Sequence, residues 1–140
     1  MILRRATLED VDVLTACLVA AYAPYMHLGL PPVTEGVADD VAQQDVWVAE
    51  LDGHVVGGVV AALGRDAHIM NLAVHPDAGG HGVGCALIDH VIETAKADGH
   101  AEIHLATHAK MTATQAFYRK SGWTEAGNEG DKIYFKRELN

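Results

Sequence analysis

Cysteine is nearly absent from this chain: Cys17 and Cys85 are the two among 140 residues. Two cysteines cannot build the disulfide framework of a small secreted domain, and they suit a reduced, cytoplasmic setting. Basic residues are also scarce. Lys and Arg number 10 against 19 Asp and Glu, a formal charge of −9. A chain this acidic neutralises no run of phosphates, so nucleic acid is not an expected partner. No stretch is read as long enough to span a bilayer, and no membrane partner is expected. The N-terminus imitates a signal peptide, with Arg4-Arg5 ahead of the apolar run Val13 to Ala23. Glu9, Asp10 and Asp12 interrupt that approach, and the apolar residues fall at helical period, so the segment reads as an amphipathic helix. Metal-ligand patterns are missing although there are 9 histidines. There is no HExxH, and the cysteines have no ligand spacing. His100, His104 and His108 recur every fourth residue, but His104 falls in a predicted strand, so the three share no helix face. No metal is expected. Linkers, repeats and low-complexity tracts are absent too, so residues 1–140 read as one domain able to bury a core.

The remaining composition, 49% hydrophobic and 21% charged, is that of a globular protein. Met1 to Arg5 reads as a strand. Thr7-Leu8-Glu9-Asp10 reads as a capping box opening a helix with Leu14, Cys17, Leu18, Ala21 and Tyr22 on one face. Pro24 should stop that helix near Ala23, and Pro24 to Pro32 reads as a loop. Thr34 is the expected cap of a short helix ending near Gln44. Val46 to Leu51 and His54 to Leu63 flank Asp52-Gly53, a strong hairpin signal. His68 to Val74 is a strand, Gly82 to Ala97 a helix, and Gly99 its left-handed stop. Glu102 to Ala106, a helix over Thr112 to Lys120, and a strand pair at Trp123 to Ala126 and Lys132 to Lys136 complete the chain. This order predicts an α/β fold: a mixed, mostly antiparallel sheet of six to seven strands flanked by about four helices.

The densest signal lies between Leu72 and Ile88. An apolar strand, Leu72-Ala73-Val74, runs through His75-Pro76-Asp77 into the glycine-rich stretch Gly79 to Gly84, which opens a helix. Backbone N–H groups are unpaired at a helix start, and the helix dipole favours negative charge there. Glycine removes the side chains that would hold a phosphate away. The segment is therefore a candidate site for a phosphate-bearing cofactor, with donors from Gly80 to Cys85 converging as in an anion-binding nest.

Three segments together resemble the GNAT superfamily of acetyl-CoA-dependent N-acetyltransferases, and the resemblance covers almost the whole chain. Val74-His75-Pro76-Asp77 with Gly79 to Gly84 is similar to the family's acyl-CoA loop, Gly82 and Gly84 standing in its glycine positions. Met111 to Trp123 resembles the late helix that carries a tyrosine and ends in Gly-Trp. Arg4-Arg5-Ala6-Thr7-Leu8-Glu9-Asp10 is similar to a common family opening. The resemblance implies transfer of an acetyl group from acetyl-CoA to a primary amine, small-molecule or peptide, by direct attack in a ternary complex. It implies that Leu72, Ala73 and Val74 pair with the pantetheine arm, and that Gly79, Gly80, His81, Gly82, Val83, Gly84 and Cys85 receive the diphosphate. Tyr118 matches the tyrosine that protonates the departing thiolate. Tyr22, Tyr25 and His27 lie where the family shapes its acceptor pocket. A homodimer is allowed.

Two positions depart from the family pattern. Gly79 stands where an Arg or Gln is usual, and His81 compensates only if protonated. Met70 replaces a common glutamate base and cannot accept a proton. His68, Asn71, Glu50 and His108 are the polar residues expected to face the cleft; His68 is the leading base on chemical grounds, and Asn71 a candidate acceptor contact. Thr112 and Thr114 read as helix caps. Two other readings stay open: a non-catalytic acyl-CoA-binding module of the same fold, favoured by Gly79 and Met70, and a dinucleotide-binding oxidoreductase. The glycines run Gly80-x-Gly82-x-Gly84, mid-chain after a hairpin, which fits the latter poorly.

Overall fold

The computed structural model describes residues 1–30, 32 and 34–139. Seven strands form one sheet in the order β1-β2-β3-β4-β5-β7-β6. They are β1 (Ile2–Arg5), β2 (Asp45–Leu51), β3 (His54–Leu63), β4 (Ala67–Val74), β5 (Glu102–His108), β6 (Thr124–Glu129) and β7 (Lys132–Glu138). Four helices accompany them: α1 (Val11–Tyr22), α2 (Val37–Gln43), α3 (Val83–Ala97) and α4 (Thr112–Lys120). Every pairing is antiparallel except β4 with β5. The expected mixed, mostly antiparallel sheet is therefore what the chain forms.

Strand alternation splits the core in two. Val59, Ala61, Ile69, Ile103 and Phe135 face the larger cluster with Leu87, Ile88, Val91 and Ile92 of α3 and Tyr118 of α4. Val46, Val48, Val60 and Ala73 face the other side with Leu14 and Leu18 of α1 and Val37 of α2. Each large aliphatic side chain fully withdrawn from water contributes roughly 1.5–3 kcal/mol, so α3 is held chiefly by its apolar stripe. Close approach sets the α1 face: a Cβ on Gly58 would stand 2.5 Å from Leu14 Cδ1 and 3.1 Å from the Trp47 carbonyl oxygen.

Several boundaries differ from the sequence reading. The Thr7-to-Asp10 capping box itself forms as expected, the Asp10 carboxylate accepting from Thr7 N–H at 2.7 Å and from Arg4 at 2.7 and 2.8 Å. Pro24 does not begin a loop. It sits in the first turn of a 3₁₀ segment, Ala23–Leu28, ended by left-handed Gly29, a tighter winding that tolerates proline at its start. Pro31, part of the expected loop, lies outside the described residues. Gly36, not Thr34, precedes α2, and Met111, with no side-chain cap from Thr112 or Thr114, precedes α4. The Asp52-Gly53 hairpin forms as expected, with φ of 51° and 81°.

The expectation that no stretch reaches membrane-spanning length is also corrected. The continuous helical run Leu8–Leu28 has 21 residues, and an 18-residue window within it has a mean hydropathy of 1.3. The 3₁₀ extension past Pro24 supplies the length that the sequence reading withheld. One side of this run packs on the sheet through Leu14, Cys17 and Leu18, while Val13, Val19 and Met26 on its outer side are exposed.

Candidate active site

The site begins where β4 and β5 part. Only Ala67 with Ile103 and His68 with His104 pair across them. Beyond His68, the β5-facing edge of β4 has no strand partner among the described residues. A bulge reinforces the divergence: Val60 opposes Asn71 and Ala61 opposes Ile69, so Met70 is left over. Such a bulge bends a strand and re-aims the residues around it. The two strands then wall a cavity of about 970 Å³.

At one end of the cavity stands the head of α3. Gly80 and Gly82 take left-handed φ of 83° and 71°, which side-chain-bearing residues adopt at a cost. A Cβ built on either would meet nothing within 4 Å, so their glycine identity answers to backbone conformation and to the open face beside them. α3 begins at Val83, one residue later than expected, with Gly82 as its cap. The first N–H groups of the helix have no partner within it, and Gly82, Val83, Gly84 and Cys85 line the cavity with Gly79 and Gly80. His81 is exposed and is not among the lining residues, so the loop turns its ring outward.

Tyr118 comes from the middle of α4, where the apolar face of a short amphipathic helix meets the sheet. It is 5% exposed and packs edge-on against Phe117 and Trp123. Its hydroxyl makes no hydrogen bond among the described residues and is not sealed in the core, and the residue borders the cavity. Burial, and then the neighbouring Tyr22, push the phenol well above its ordinary value, so it stays protonated throughout the neutral range.

On the opposite wall, Tyr22 at the end of α1 donates its hydroxyl proton to Asn71 Oδ1 at 2.7 Å. Burial raises the Tyr22 phenol as well, with Tyr25 adding to it. Tyr22, Tyr25 and Asn71 all line the cavity, as do Leu72, Ala73 and Val74. The structure thus brings together most of the expected residues from four separate parts of the chain.

Besides His81, three expected residues stand elsewhere. His68 sits where β4 and β5 are still paired, its ring 5.8 Å from that of His104, and it does not border the cavity. It lies at the closed end of the fork, outside the open slot. Glu50 is held by Arg4 at 2.9 Å, away from the site. His27 is exposed on the 3₁₀ segment and points off the lining. His108 does line the cavity, but its Nδ1 accepts from Lys110 N–H at 3.0 Å. The neutral ring therefore carries its proton on Nε2, 3.9 Å from Asp131 Oδ2, and presents a donor there.

The sequence reading missed Glu35 just before α2, Asp40 within it, Phe117 on α4, and Asp131 with Lys132 at the start of β7, all of which line the cavity. Asp40 is half-buried, and burial followed by Asp39 raises its carboxyl above the ordinary value. No local motif marks these positions. Among the described residues no group of three or more His, Cys, Asp or Glu could hold a metal ion.

A forked sheet, a glycine-headed helix and a buried tyrosine share one cavity. Residues 17–123 match the model of the acetyltransferase (GNAT) family, and the chain belongs to that family. A curated relative, the amino-acid acetyltransferase of Mycobacterium tuberculosis, is 34% identical over 131 residues, covering 89% of this chain and 68% of that protein. Among solved structures, the PaiA N-acetyltransferase of Thermoplasma acidophilum in complex with coenzyme A superposes with a TM-score of 0.82 at 16% identity, covering 98% of each chain. The ribosomal-protein-S18-alanine N-acetyltransferase of Escherichia coli gives 0.83 at 19% identity, covering 99% of this chain and 94% of that one. At those identities the likeness is one of fold.

Proposed function

We propose that this protein transfers the acetyl group of acetyl-CoA to a primary amine, by direct attack within a ternary complex. The observation that carries this reading is that the bare N–H groups heading α3, the unpartnered edge of β4 and the Tyr118 hydroxyl face one cavity. The diphosphate binds at Gly79, Gly80 and Gly82 to Cys85, where open backbone and helix dipole both favour an anion. The pantetheine arm extends along Leu72 to Val74 and takes the hydrogen bonds that β5 leaves unmade. Main-chain N–H groups there polarise the thioester carbonyl as an oxyanion forms. Tyr118 gives its proton to the leaving thiolate, and the proton lost by the acetylated nitrogen returns through solvent to the phenolate. Tyr22 and Asn71 border the acceptor.

Met70 provides no base, His68 lies outside the cavity, and His108 offers a proton at Nε2. On this reading the amine enters in its neutral form, and catalysis rests on positioning and electrostatics. A cytoplasmic enzyme fits the free thiols of Cys17 and Cys85. The mycobacterial relative's name places amino acids among the acceptors to be screened.

The test is acetyl-CoA with a panel of amines, read as free thiol, alongside native mass spectrometry for retained coenzyme A. Thiol release that depends on amine is expected. The alternative, an acyl-CoA-binding module without turnover, is favoured by Gly79 in place of a phosphate-contacting side chain. It takes precedence if coenzyme A binds and no amine releases thiol.

A further inference from the structure

The acceptor wall carries charge of one sign. α2 packs against α1, and Asp40 of α2 and Glu35 just before it line the cavity on the Tyr22 side. Neither forms an ion pair or side-chain hydrogen bond among the described residues, unlike Asp10, Asp45 and Glu50, each held by Arg4 or Arg5. Lys132 is the one Lys or Arg among the described lining residues, and it follows Asp131 in the β6–β7 turn. The wall is also aromatic: Tyr22, fixed by its bond to Asn71, stands with Tyr25. A half-buried carboxylate without a counter-ion among the described residues, in one cavity with two phenol rings, is chemistry that holds an organic cation. An acidic acceptor would meet Asp40 and Glu35 with repulsion.

We propose that Asp40 sets acceptor specificity by binding a distal ammonium group, so that the preferred acceptors are diamines and other amines carrying a second positive charge. This deepens the transferase reading and rests on it. A monoprotonated diamine meets both demands of the cavity: its charged end pairs with Asp40, and its neutral end is free to attack the thioester. The raised carboxyl of Asp40 is in keeping with a group that lacks its cation.

The experiment is calorimetric binding of 1,5-diaminopentane and of n-pentylamine to the protein saturated with coenzyme A. The two probes match in chain length and differ in one ammonium. The diamine is expected to bind about two- to fivefold more tightly, the factor that a partly exposed charge pair is worth. Asp40→Asn should abolish the difference and leave the coenzyme A dissociation constant where it was, while Asp40→Glu should restore much of it. Equal affinities in the unmodified protein overturn the proposal without recourse to any variant, as does a diamine preference that survives Asp40→Asn. If coenzyme A itself does not bind, the transferase reading falls and this proposal with it. If coenzyme A binds and the diamine shows no advantage, only the proposal falls.

Discussion

Single residues carry the chemistry, and their surroundings decide what each can do. Tyr118 is an acid held in its protonated state by burial, close to where a thiolate would leave. Tyr118→Phe is expected to lower kcat about a hundredfold with the acetyl-CoA KM unchanged; steady-state kinetics checks this, and equal turnover removes the tyrosine from that role. The absence of a side-chain base at Met70 has its own signature. The rate with n-pentylamine at low amine concentration should climb about tenfold per pH unit toward the amine's own pKa, whereas a plateau beginning near about pH 6.5 would mark a histidine base. Asp10 is structural. Arg4, above all, holds its carboxyl down at about 2, against 3.8 ordinarily. Because the folded value is the lower one, the stabilisation is whole above about pH 4 and is lost as pH falls through 2, a contribution on the order of 2 kcal/mol. Asp10→Asn should cost about that much at pH 7 in denaturant titrations, with the gap to the unmodified protein closing in strong acid.

At the scale of elements, the site exists because two strands stop pairing. The β4 bulge at Met70 and the two-pair β4–β5 contact open a slot, and the turn before α3 brings bare N–H groups to its rim. That turn was legible because glycine spacing after an apolar strand has a direct backbone meaning, and Gly80 and Gly82 do take left-handed φ. Gly82→Val should strain the turn by roughly 1–3 kcal/mol and weaken coenzyme A binding at least about tenfold, measured below the variant's melting temperature. The fork itself was not legible. Strand periodicity places His68 and Asn71 on β4 alike; which lies at the closed end depends on where pairing with β5 ceases, a contact between residues 36 apart in sequence. The helical run was misjudged for a related reason. Pro24 argues locally for a stop, and the chain instead tightens into a 3₁₀ turn that carries the run to Leu28.

For the whole molecule, element order was readable because hydrophobic period changes cleanly between strands and helices, and the Asp52-Gly53 hairpin pins the register of β2 on β3. The sheet order β5-β7-β6 and the acceptor wall were not. Glu35 and Asp40 look like any solvated acids in a chain of charge −9, and only the packing of α2 against α1 turns them toward the cavity. The global charge and this local wall act in the same direction, drawing cations to the site. The central claim is that the glycine-headed turn of α3 and the free edge of β4 together hold acetyl-CoA. Titrating coenzyme A into the protein by calorimetry, followed by a crystal structure of the complex, tests it most directly. The expected result is one coenzyme A per chain, its diphosphate on the N–H groups of residues 80–85 and its thiol beside Tyr118. No heat of binding, with that cavity vacant in the crystal, would contradict it.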